Sequence, residues 1–418
     1  MTHPPSGNGR EFFTTTTVGA ALALLASPRT TPVERVPLAD ALGRTPAAPV
    51  TAAAALPGFA RSTVDGFAVR AADTFGASEG LPAYLDVAGS VAMGRPAEVP
   101  VQPGAAVAVP TGGVLPDGAD AVVMVEHTQV TMPGSVEVVR PAAPGDGTVR
   151  ADEDVAAGAH IAPAGRPLRA QDLGMLAAAG VVEVSVHRRP RVGIVSTGDE
   201  VVPPETVRLT PGQVRDATAA ALAGLVTGAG GEPVPLGIVG DDADALERVL
   251  RDALERCDVV VVSAGSSVGA RDETAGVVAR LGAPGILCHG LAVRPGKPTL
   301  LADCGGVPVI GLPGNPLSAL VVFRLVGLPV VRRVGGTTVA PPEPTVRARL
   351  DRQVPSQTGR LDVVQARVTT SADGPVASPL FGASALLSVL TSADGWLVVP
   401  EEATGLPAGT AVDVTLYR

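Results

Sequence analysis

The sequence predicts a multidomain α/β plus β protein with a doubly wound α/β domain at its centre. First, strand-like and helical segments alternate over residues 190–335, which is typical of right-handed crossovers on a parallel sheet. Second, short Val-rich runs separated by Pro, Gly and Asp fill residues 56–140 and indicate an inserted β domain. Third, Val-rich strands return over residues 336–418 after a proline-rich linker, so a separate β domain ends the chain.

The composition indicates a globular protein. With 418 residues the chain is too long for a single core, and its 46% hydrophobic and 17% charged residues argue against disorder. The 32 basic and 41 acidic residues give a net charge of −9, which argues against a general nucleic-acid surface. No strongly apolar run reaches the ~18 residues that a membrane span needs. We therefore expect neither nucleic-acid binding nor membrane insertion.

The cysteines and the first residues predict a cytoplasmic protein. Cys257, Cys288 and Cys304 are odd in number and lack CxxC spacing, which argues against both a disulfide framework and a zinc site. The first residues, MTHPPSGNGREFF, lack the charged and apolar regions of a signal peptide. Small buried thiols in a reducing compartment are the simplest interpretation.

The first part of the chain predicts a discontinuous domain that flanks the β insertion. Residues 14–27 have a Thr-rich start and an Ala/Leu body typical of a helix. Residues 168–181 predict a second helix that ends at Gly180, and a strand follows. Because these segments lie on either side of residues 56–140, we assign residues 11–55 and 141–189 to one domain.

The central domain, residues 190–335, is predicted element by element. DVVVV, residues 258–262, reads as a buried parallel strand because β-branched residues fit a pleat covered on both faces. The other segments alternate strand and loop with helix, and in chain order they are RVGIVSTGDE, TAAALAGLVTGAG, EPVPLGIVGDD, ADALERVLRDALERC, TAGVVARLGA and VPVIGLPGNPLSALVVF.

The loops after these strands predict a binding site for a phosphate and a divalent cation. In a doubly wound sheet, ligands bind outside the carboxyl ends of the strands. A Gly-Ser stretch begins at Ser263 and suits close approach to an anion, because its backbone N–H groups are uncovered. Glu200, Asp241 and Asp272 end three such loops, and Arg294 and Lys297 add two cations. A single acid there is more often a helix cap, but three at adjacent strand ends favour a Mg²⁺ site.

Familiar nucleotide and hydrolase motifs are missing from the sequence. It contains neither GxxxxGK[ST] nor GxGxxG, which disfavours ordinary ATPases and dinucleotide dehydrogenases. His127 and His289 have no recognisable Ser and Asp partners, so a Ser–His–Asp triad is not indicated. The prediction is phosphate-ligand chemistry without a P-loop.

At this point the motifs resemble a known family over almost the whole chain. FARSTVDGFAVRAAD (59–73) and VPTGGVLPDGADAVVMVEH (109–127) resemble the two signatures of the molybdopterin molybdenumtransferases, the family that includes the E domain of gephyrin. The remaining motifs follow in the family order, and they are STGDE, LGIVGDD, SAGSSVGARD, RPGKP and GLPGNPLS. Each motif is weak alone, but seven in order are specific.

The resemblance implies four domains and an enzyme. The domains would be a helical linker domain, an inserted β domain, a molybdopterin-binding α/β domain and a C-terminal β barrel. Members form homodimers whose cleft is shared between subunits. The implied reaction takes adenylylated molybdopterin and molybdate as substrates, releases AMP and forms the molybdenum cofactor with the help of Mg²⁺.

The resemblance also assigns site residues. Asp65 and Thr111 would face the substrate from the inserted domain, while Glu200, Asp241 and Asp272 would hold the metal and act in pyrophosphate cleavage. Ser263, Gly265, Ser266 and Ser267 would cradle the pterin phosphate, and Gly269 follows them in the same binding loop. Arg294, Lys297 and Ser318 would bind anions, including molybdate, and Arg360 and Ser384 of the last domain would also help to hold the oxyanion.

Four positions depart from the commonest family pattern. Ala60-Arg61 replaces an Asp-Asn pair, and Arg294 stands where Lys is frequent, which keeps the charge but changes the donor geometry. VRDAT (214–218) replaces a pattern with Tyr and Asn, and the residue after the Gly-Arg at Arg360 that is usually aromatic is aliphatic. The preference between molybdate and tungstate stays open.

Two other functions are alternatives to the transferase. A gephyrin-like scaffold with reduced or no catalytic activity would bind a protein partner, and the loss of the Tyr-Asn pattern favours it slightly. Retention of Glu200, Asp241, Asp272, Lys297 and Ser318 favours catalysis. A molybdopterin adenylyltransferase would share the α/β core, but the flanking domains argue against it.

Overall fold

The computed structural model describes residues 15–263 and 268–417, with only the backbone of residues 268–272. Within these residues, no helix is both long and apolar enough to cross a membrane.

The elements before the central domain are α1 Val18–Leu24, β1 Val33–Pro37, a 3₁₀ turn Leu38–Asp40, β2 Val50–Thr51, β3 Arg61–Ser62, β4 Gly66–Val69, a 3₁₀ turn Ala71–Thr74, β5 Ala83–Ser90, β6 Ala105–Val109, β7 Ala121–Met124, a 3₁₀ turn Val125–His127, β8 Thr128–Met132, β9 Ser135–Val138, β10 Thr148–Val149, β11 His160–Ala162, α2 Ala170–Ala178 and β12 Glu183–His187.

Two separated stretches of the first part of the chain lie side by side. Strand β1 pairs antiparallel with β12, so that Val36 lies opposite Val184 in a shared core. The chain between them contains a six-stranded sheet of order β7-β4-β6-β5-β9-β8. This arrangement has the form expected of an inserted β domain. The residue boundaries 11–55 with 141–189, 56–140, 190–335 and 336–418 stay a prediction.

The central domain is an α/β sheet with helices on both faces. Its elements are β13 Arg191–Thr197, β14 Val201–Val202, β15 Val214–Arg215, α3 Ala217–Gly228, β16 Glu232–Val239, α4 Ala243–Arg256, β17 Val259–Ser263, α5 Val268–Val278, β18 Pro284–His289, β19 Val293–Arg294, β20 Leu300–Cys304, β21 Val307–Leu312, α6 Pro316–Val322, a π-helical turn Phe323–Gly327 and α7 Leu328–Val334. The strand order is β16-β13-β17-β21-β20-β18.

Alternation along β17 explains why both faces are covered. Val259 and Val261 pack into a core with α3 and α6, whereas Val260 and Val262 pack into a second core with α4 and α5. Successive side chains of a strand point to opposite faces, so a run of valines needs apolar partners on both sides. The predicted doubly wound domain is confirmed.

One edge of the central sheet is not parallel, unlike the sequence prediction. Strands β13, β16, β17 and β21 run parallel, but β20 pairs antiparallel with both β21 and β18. The cause is a two-residue hairpin at Gly305 and Gly306, whose φ angles are 69° and 90°. Tight hairpins need positive φ at both central residues, which glycine adopts without steric cost. The Gly-Gly pair was the sequence signal for this edge.

The chain ends in a closed barrel, as the resemblance implied. Its elements are β22 Thr345–Leu350, β23 Val354–Pro355, β24 Leu361–Ser371, β25 Gly374–Leu380, α8 Leu387–Thr391, β26 Gly395–Val399, β27 Gly405–Leu406 and β28 Ala411–Leu416. The barrel closes in the order β24-β25-β22-β28-β26, because β26 pairs back with β24. Strand β19 of the central domain joins its edge, and Arg294 lies opposite Asp362 there.

Candidate active site

The predicted phosphate loop begins where two central strands end side by side. Ser263 at the end of β17 lies opposite Ser196 of β13, at the point where the strand order reverses. Both serines are buried, and the Ser263 carbonyl oxygen accepts a hydrogen bond of 3.5 Å from Thr197 Oγ1. Of the other residues predicted for this loop, Gly265, Ser266 and Ser267 lie outside the described residues, while Gly269 and Asp272 are described by their backbone alone within α5.

Acidic side chains gather at the ends of β13 and β16. The backbone N–H of Asp241 donates to Asp199 Oδ1 over 3.0 Å. Burial raises the pKa of Asp241 above its ordinary value, and the negative charges of Asp199 and Glu200 raise it further. Glu200 and Asp241 are therefore neighbours, as predicted. Asp199 was not singled out from the sequence, although STGDE contains two adjacent acids.

The described residues leave the predicted metal set incomplete. Among them, no group of three or more His, Cys, Asp or Glu side chains is arranged to hold a metal ion. The side chain of Asp272 is not described, so the set of Glu200, Asp241 and Asp272 stays a prediction. The donor chemistry of the described part is suitable, because carboxylate oxygens are the ligands that Mg²⁺ prefers.

Asp65 and Thr111 form a hydrogen-bonded pair on the inserted sheet. Asp65 precedes β4 and Thr111 follows β6, and the pairing of Gly66 with Val109 brings them together. Asp65 Oδ1 accepts a hydrogen bond of 2.7 Å from the Thr111 backbone N–H and one of 3.0 Å from Thr111 Oγ1. Both hydrogen bonds lower the pKa of Asp65, and the bond from the backbone N–H has the larger effect. Both side chains are exposed, so an ionised carboxylate is presented to solvent.

A cavity of about 720 Å³ lies between the central domain and the barrel. It brings together all five residues that the resemblance assigned to oxyanion binding, and these are Arg294, Lys297, Ser318, Arg360 and Ser384. Arg294 ends strand β19, and Lys297 lies three residues further along the RPGKP turn. Ser318 lies in the first turn of α6. Arg360 and Ser384 come from the barrel part of the chain, so the cavity has a wall on each side.

The turn that carries Arg294 and Lys297 packs closely on α6. Gly296 has a φ of 122°, and a Cβ atom there would lie 2.3 Å from Cγ2 of Val322. Only glycine combines this backbone conformation with so close an approach. The Lys297 carbonyl oxygen accepts a hydrogen bond of 2.8 Å from the N–H of Leu291, which fixes the far end of the turn.

A buried carboxylate at Asp362 organises the arginines of the cavity. Arg360 Nε donates to Asp362 Oδ1 over 2.8 Å, and Arg294 Nη1 lies 3.7 Å from Asp362 Oδ2. The Asp362 side chain is only 4% exposed, whereas that of Arg294 is 63% exposed. Among the residues that the structure describes, the charged ones of the cavity wall are Arg294, Lys297, Arg360 and Asp362, and their charges sum to two positive charges.

The cavity also contains neutral donors. Asn315 Nδ2 donates to Ser384 Oγ over 2.9 Å, and the backbone N–H of Leu317 donates to the Ser384 carbonyl over 3.2 Å. These bonds attach the barrel loop that contains Ser384 to the start of α6. A pocket with two net positive charges and several hydroxyl and amide groups suits a tetrahedral dianion. Asp362 and Asn315 were not predicted from the sequence.

The predicted residues thus fall into three groups: the oxyanion residues, the pair of Asp65 and Thr111 on the inserted sheet, and the acids Glu200 and Asp241 at the ends of β13 and β16. The oxyanion residues share one cavity, and neither Asp65 nor Thr111 is among its lining residues. Glu200 and Asp241 do not line it either.

Three family models match the chain in sequence order. They are described as "MoeA N-terminal region (domain I and II)" over residues 16–180, "Probable molybdopterin binding domain" over residues 193–333 and "MoeA C-terminal region (domain IV)" over residues 347–417.

Named relatives and a solved structure agree with these matches. The chain is 36% identical to molybdopterin molybdenumtransferase 2 of Mycobacterium tuberculosis over 91% of this chain and 94% of that protein. It is 38% identical to molybdopterin molybdenumtransferase of a Nostoc species over 72% of this chain and 70% of that protein. A crystal structure of the molybdopterin biosynthesis moeA protein from Pyrococcus horikoshii superposes with a TM-score of 0.82 at 30% identity, covering 96% of this chain and 100% of that one.

Proposed function

The chain belongs to the molybdopterin molybdenumtransferase family, and from that premise we propose that it inserts molybdate into adenylylated molybdopterin, releases AMP and forms the molybdenum cofactor. One observation carries the proposal beyond family membership. Five residues that were assigned to oxyanion binding from separate motifs line one cavity with two net positive charges. Molybdate is a tetrahedral dianion, so the charge and the donors of the cavity match it.

Cationic and hydroxyl side chains would bind molybdate in this cavity. Arg294, Lys297 and Arg360 supply positive charge, and a guanidinium offers planar N–H donors to two oxygens at once. Ser318 and Ser384 add hydroxyl donors from the two sides of the cavity. Because the donors come from both the central domain and the barrel, the oxyanion would be held between two walls.

We propose that Mg²⁺ is held near the acidic cluster and that the protein is a Mg²⁺-dependent transferase. Glu200 and Asp241, with Asp199 beside them, supply oxygen ligands, and Asp272 would complete the set. When bound, the cation would offset the charge of the pyrophosphate group. The raised pKa of Asp241 supports the proposal, since burial first, and then the charges of Asp199 and Glu200, disfavour an ionised form that a cation would stabilise.

We further propose that the protein acts as a homodimer whose cleft receives Asp65 and Thr111 from the partner subunit. In support, the pair is exposed and does not line the cavity of its own subunit. The test is to coexpress Asp65→Ala with Lys297→Ala. If the cleft is shared, mixed dimers contain one intact cleft, and the mixture recovers roughly a quarter of wild-type activity. No recovery in isolated mixed dimers would contradict the shared cleft.

The decisive experiment for the function uses the purified protein with adenylylated molybdopterin, Mg²⁺ and molybdate. We expect release of AMP together with active cofactor, and we expect Lys297→Ala to lose both without loss of folding. Absence of AMP release at saturating molybdate would overturn the proposal. The relatives named above have enzyme names and give no support to the scaffold alternative. The three cysteines are buried and free, which fits the cytoplasmic location that we propose.

A further inference from the structure

Gln365 is a buried amide in the wall of the oxyanion cavity. It lies on β24, lines the cavity and is only 2% exposed. Its Oε1 accepts a hydrogen bond from the hydroxyl of Tyr417. Its Nε2 has no hydrogen-bond partner among the described residues. Buried amide donors without a partner are rare in native proteins, so this one needs an explanation.

The position of Gln365 on β24 turns it toward the central domain. Val363, two residues earlier on the same strand, packs in the core that contains α3 and α6. Residues two apart on a strand share a face, so Gln365 belongs to the face that meets the central domain. Its antiparallel neighbour on β25, Leu380, also lines the cavity.

Tyr417 fixes which end of the amide is free. The Arg324 guanidinium carbon lies 4.4 Å from the centre of the Tyr417 ring, and the Tyr417 backbone N–H donates to the Asp394 carbonyl over 2.9 Å. Burial raises the pKa of Tyr417 to about 12, so its hydroxyl is protonated at neutral pH, and the structure shows it donating to Gln365 Oε1. A hydroxyl that donates to Oε1 leaves the two N–H bonds of Nε2 for another acceptor.

A carboxamide is the appropriate donor here because it adds no charge. The cavity already has two net positive charges, which balance a dianion. We propose that Gln365 is a further substrate-binding residue whose Nε2 donates to an oxygen of the tetrahedral oxyanion, and that Tyr417 is the positioning residue that orients the amide. The inference rests on the proposed function, because it assumes that this cavity binds molybdate.

The test measures molybdate binding to the full-length protein by titration calorimetry and the molybdate KM for AMP release. Gln365→Met keeps the length of the side chain but removes the donor, and Gln365→Glu replaces the donor by an acceptor. We expect the molybdate Kd to rise about tenfold in the first and about a hundredfold in the second, with the loss mainly in KM. Gln171→Glu, at an exposed position on α2, is the matched control and should bind as the wild type does.

Two further readouts separate a binding role from a structural one. Binding to Gln365→Glu should improve as the pH falls from about 8 to about 6, because burial raises the pKa of the introduced carboxyl, which then becomes protonated and can donate a hydrogen bond. Tyr417→Phe, which leaves Gln365 in place, should weaken binding about threefold, since the amide is free to turn.

The outcomes distinguish this inference from the proposed function. If the wild type binds molybdate and releases AMP but Gln365→Met and Gln365→Glu bind as tightly, the role of Gln365 is wrong and the function stands. If the wild type binds no molybdate, both are wrong. Should the Gln365 variants fail to fold, an unchanged Kd in folded Tyr417→Phe overturns the inference.

Discussion

At the scale of single residues, the cavity is organised by one carboxylate that touches two arginines. Asp362 is buried, and it accepts from Arg360 while lying within ion-pair distance of Arg294. A buried charge is tolerated only when it is paired, so the Asp362 carboxylate depends on its arginines as much as they depend on it. The positions of Arg294 and Arg360, which donate into the cavity, therefore depend on the buried Asp362.

Replacement of Asp362 should affect both stability and substrate binding. We expect Asp362→Asn to lower the free energy of unfolding by about 2 kcal/mol, because the charged hydrogen bond from Arg360 to a buried carboxylate is lost, while the exposed Arg294 adds little. The molybdate KM should rise with it, since Arg294 and Arg360 lose their common anchor. Asp413→Asn is the control, because the Asp413–Arg347 pair is exposed on both sides and is worth less than about 1 kcal/mol. Equal effects in denaturant unfolding would contradict the role of Asp362.

Asp172 at the start of α2 gives a pH-dependent prediction. The hydrogen bonds from Arg166, with those from Arg169 in addition, hold the pKa of Asp172 well below its usual range against the opposing effect of burial. A lowered folded-state pKa stabilises the protein above the unfolded pKa of about 4, and this stabilisation is lost as the pH falls further.

The measurement compares wild type with Asp172→Asn across pH. At pH 7 the variant should be less stable by roughly 3 kcal/mol in denaturant unfolding. The difference should shrink progressively below about pH 4, because the unfolded wild type then binds a proton at Asp172 that the folded state does not yet bind. A difference that is constant down to the lowest pH at which the protein folds would show that the ion pairs do not stabilise it.

At the scale of elements, the RPGKP turn and α6 form one packed unit. Gly296 touches Val322 of α6, and the same turn carries Arg294 and Lys297 into the cavity. Ser318 is on α6 itself. The packing of the turn on the helix therefore determines how far apart the cationic donors and the hydroxyl donor lie.

Gly296→Ala should separate this turn from the helix. The added methyl group would lie 2.3 Å from Val322 Cγ2, so we expect a loss of about 3 kcal/mol in unfolding and a raised molybdate KM. Gly174→Ala is the matched control, because Gly174 lies inside α2 with nothing within 4 Å of a new Cβ. That change should stabilise the protein by about 0.5 kcal/mol and leave the KM unchanged. Similar behaviour of the two variants would contradict the close packing.

At the scale of the whole molecule, the cavity lies at the junction of two structural units, the central α/β sheet and the barrel. The central domain contributes Arg294, Lys297 and Ser318, and the barrel contributes Arg360 and Ser384. A ligand that bonds to both sides adds to the attraction between them. Its binding is therefore coupled to the unfolding of either unit.

Molybdate should raise the thermal unfolding midpoint of the protein. At a concentration about 100 times its Kd, a ligand that binds only the folded state contributes about 2.7 kcal/mol. Arg360→Ala removes a donor from the barrel side and should abolish most of this shift in a calorimetric scan. Sodium chloride at the same ionic strength controls for general salt effects, and an equal shift with Arg360→Ala would contradict binding between the two units.

Much of this architecture could be predicted because it depends on local patterns. The valine run at 259–262 indicated the sheet, and the loops after the strands indicated the edge at which we propose that ligands bind. The antiparallel edge was missed, although Gly305-Gly306 was its signal. Asp362 and Gln365 were missed for another reason. Both lie in a Val-rich strand, and the partner of Gln365, Tyr417, is 52 residues away in the chain, so only tertiary structure reveals the contact.

The pairing of β19 with β24 has a consequence for exchange of domains between proteins. Arg294 belongs to the central domain by sequence, yet it lies in the hydrogen-bonded edge of the barrel opposite Asp362. A slip of one residue in this two-residue ladder would turn Arg294 to the other face. A chimaera that received a foreign barrel would therefore keep its oxyanion site only if the new barrel offered an open strand edge, in the same register, with an acid at the matching position.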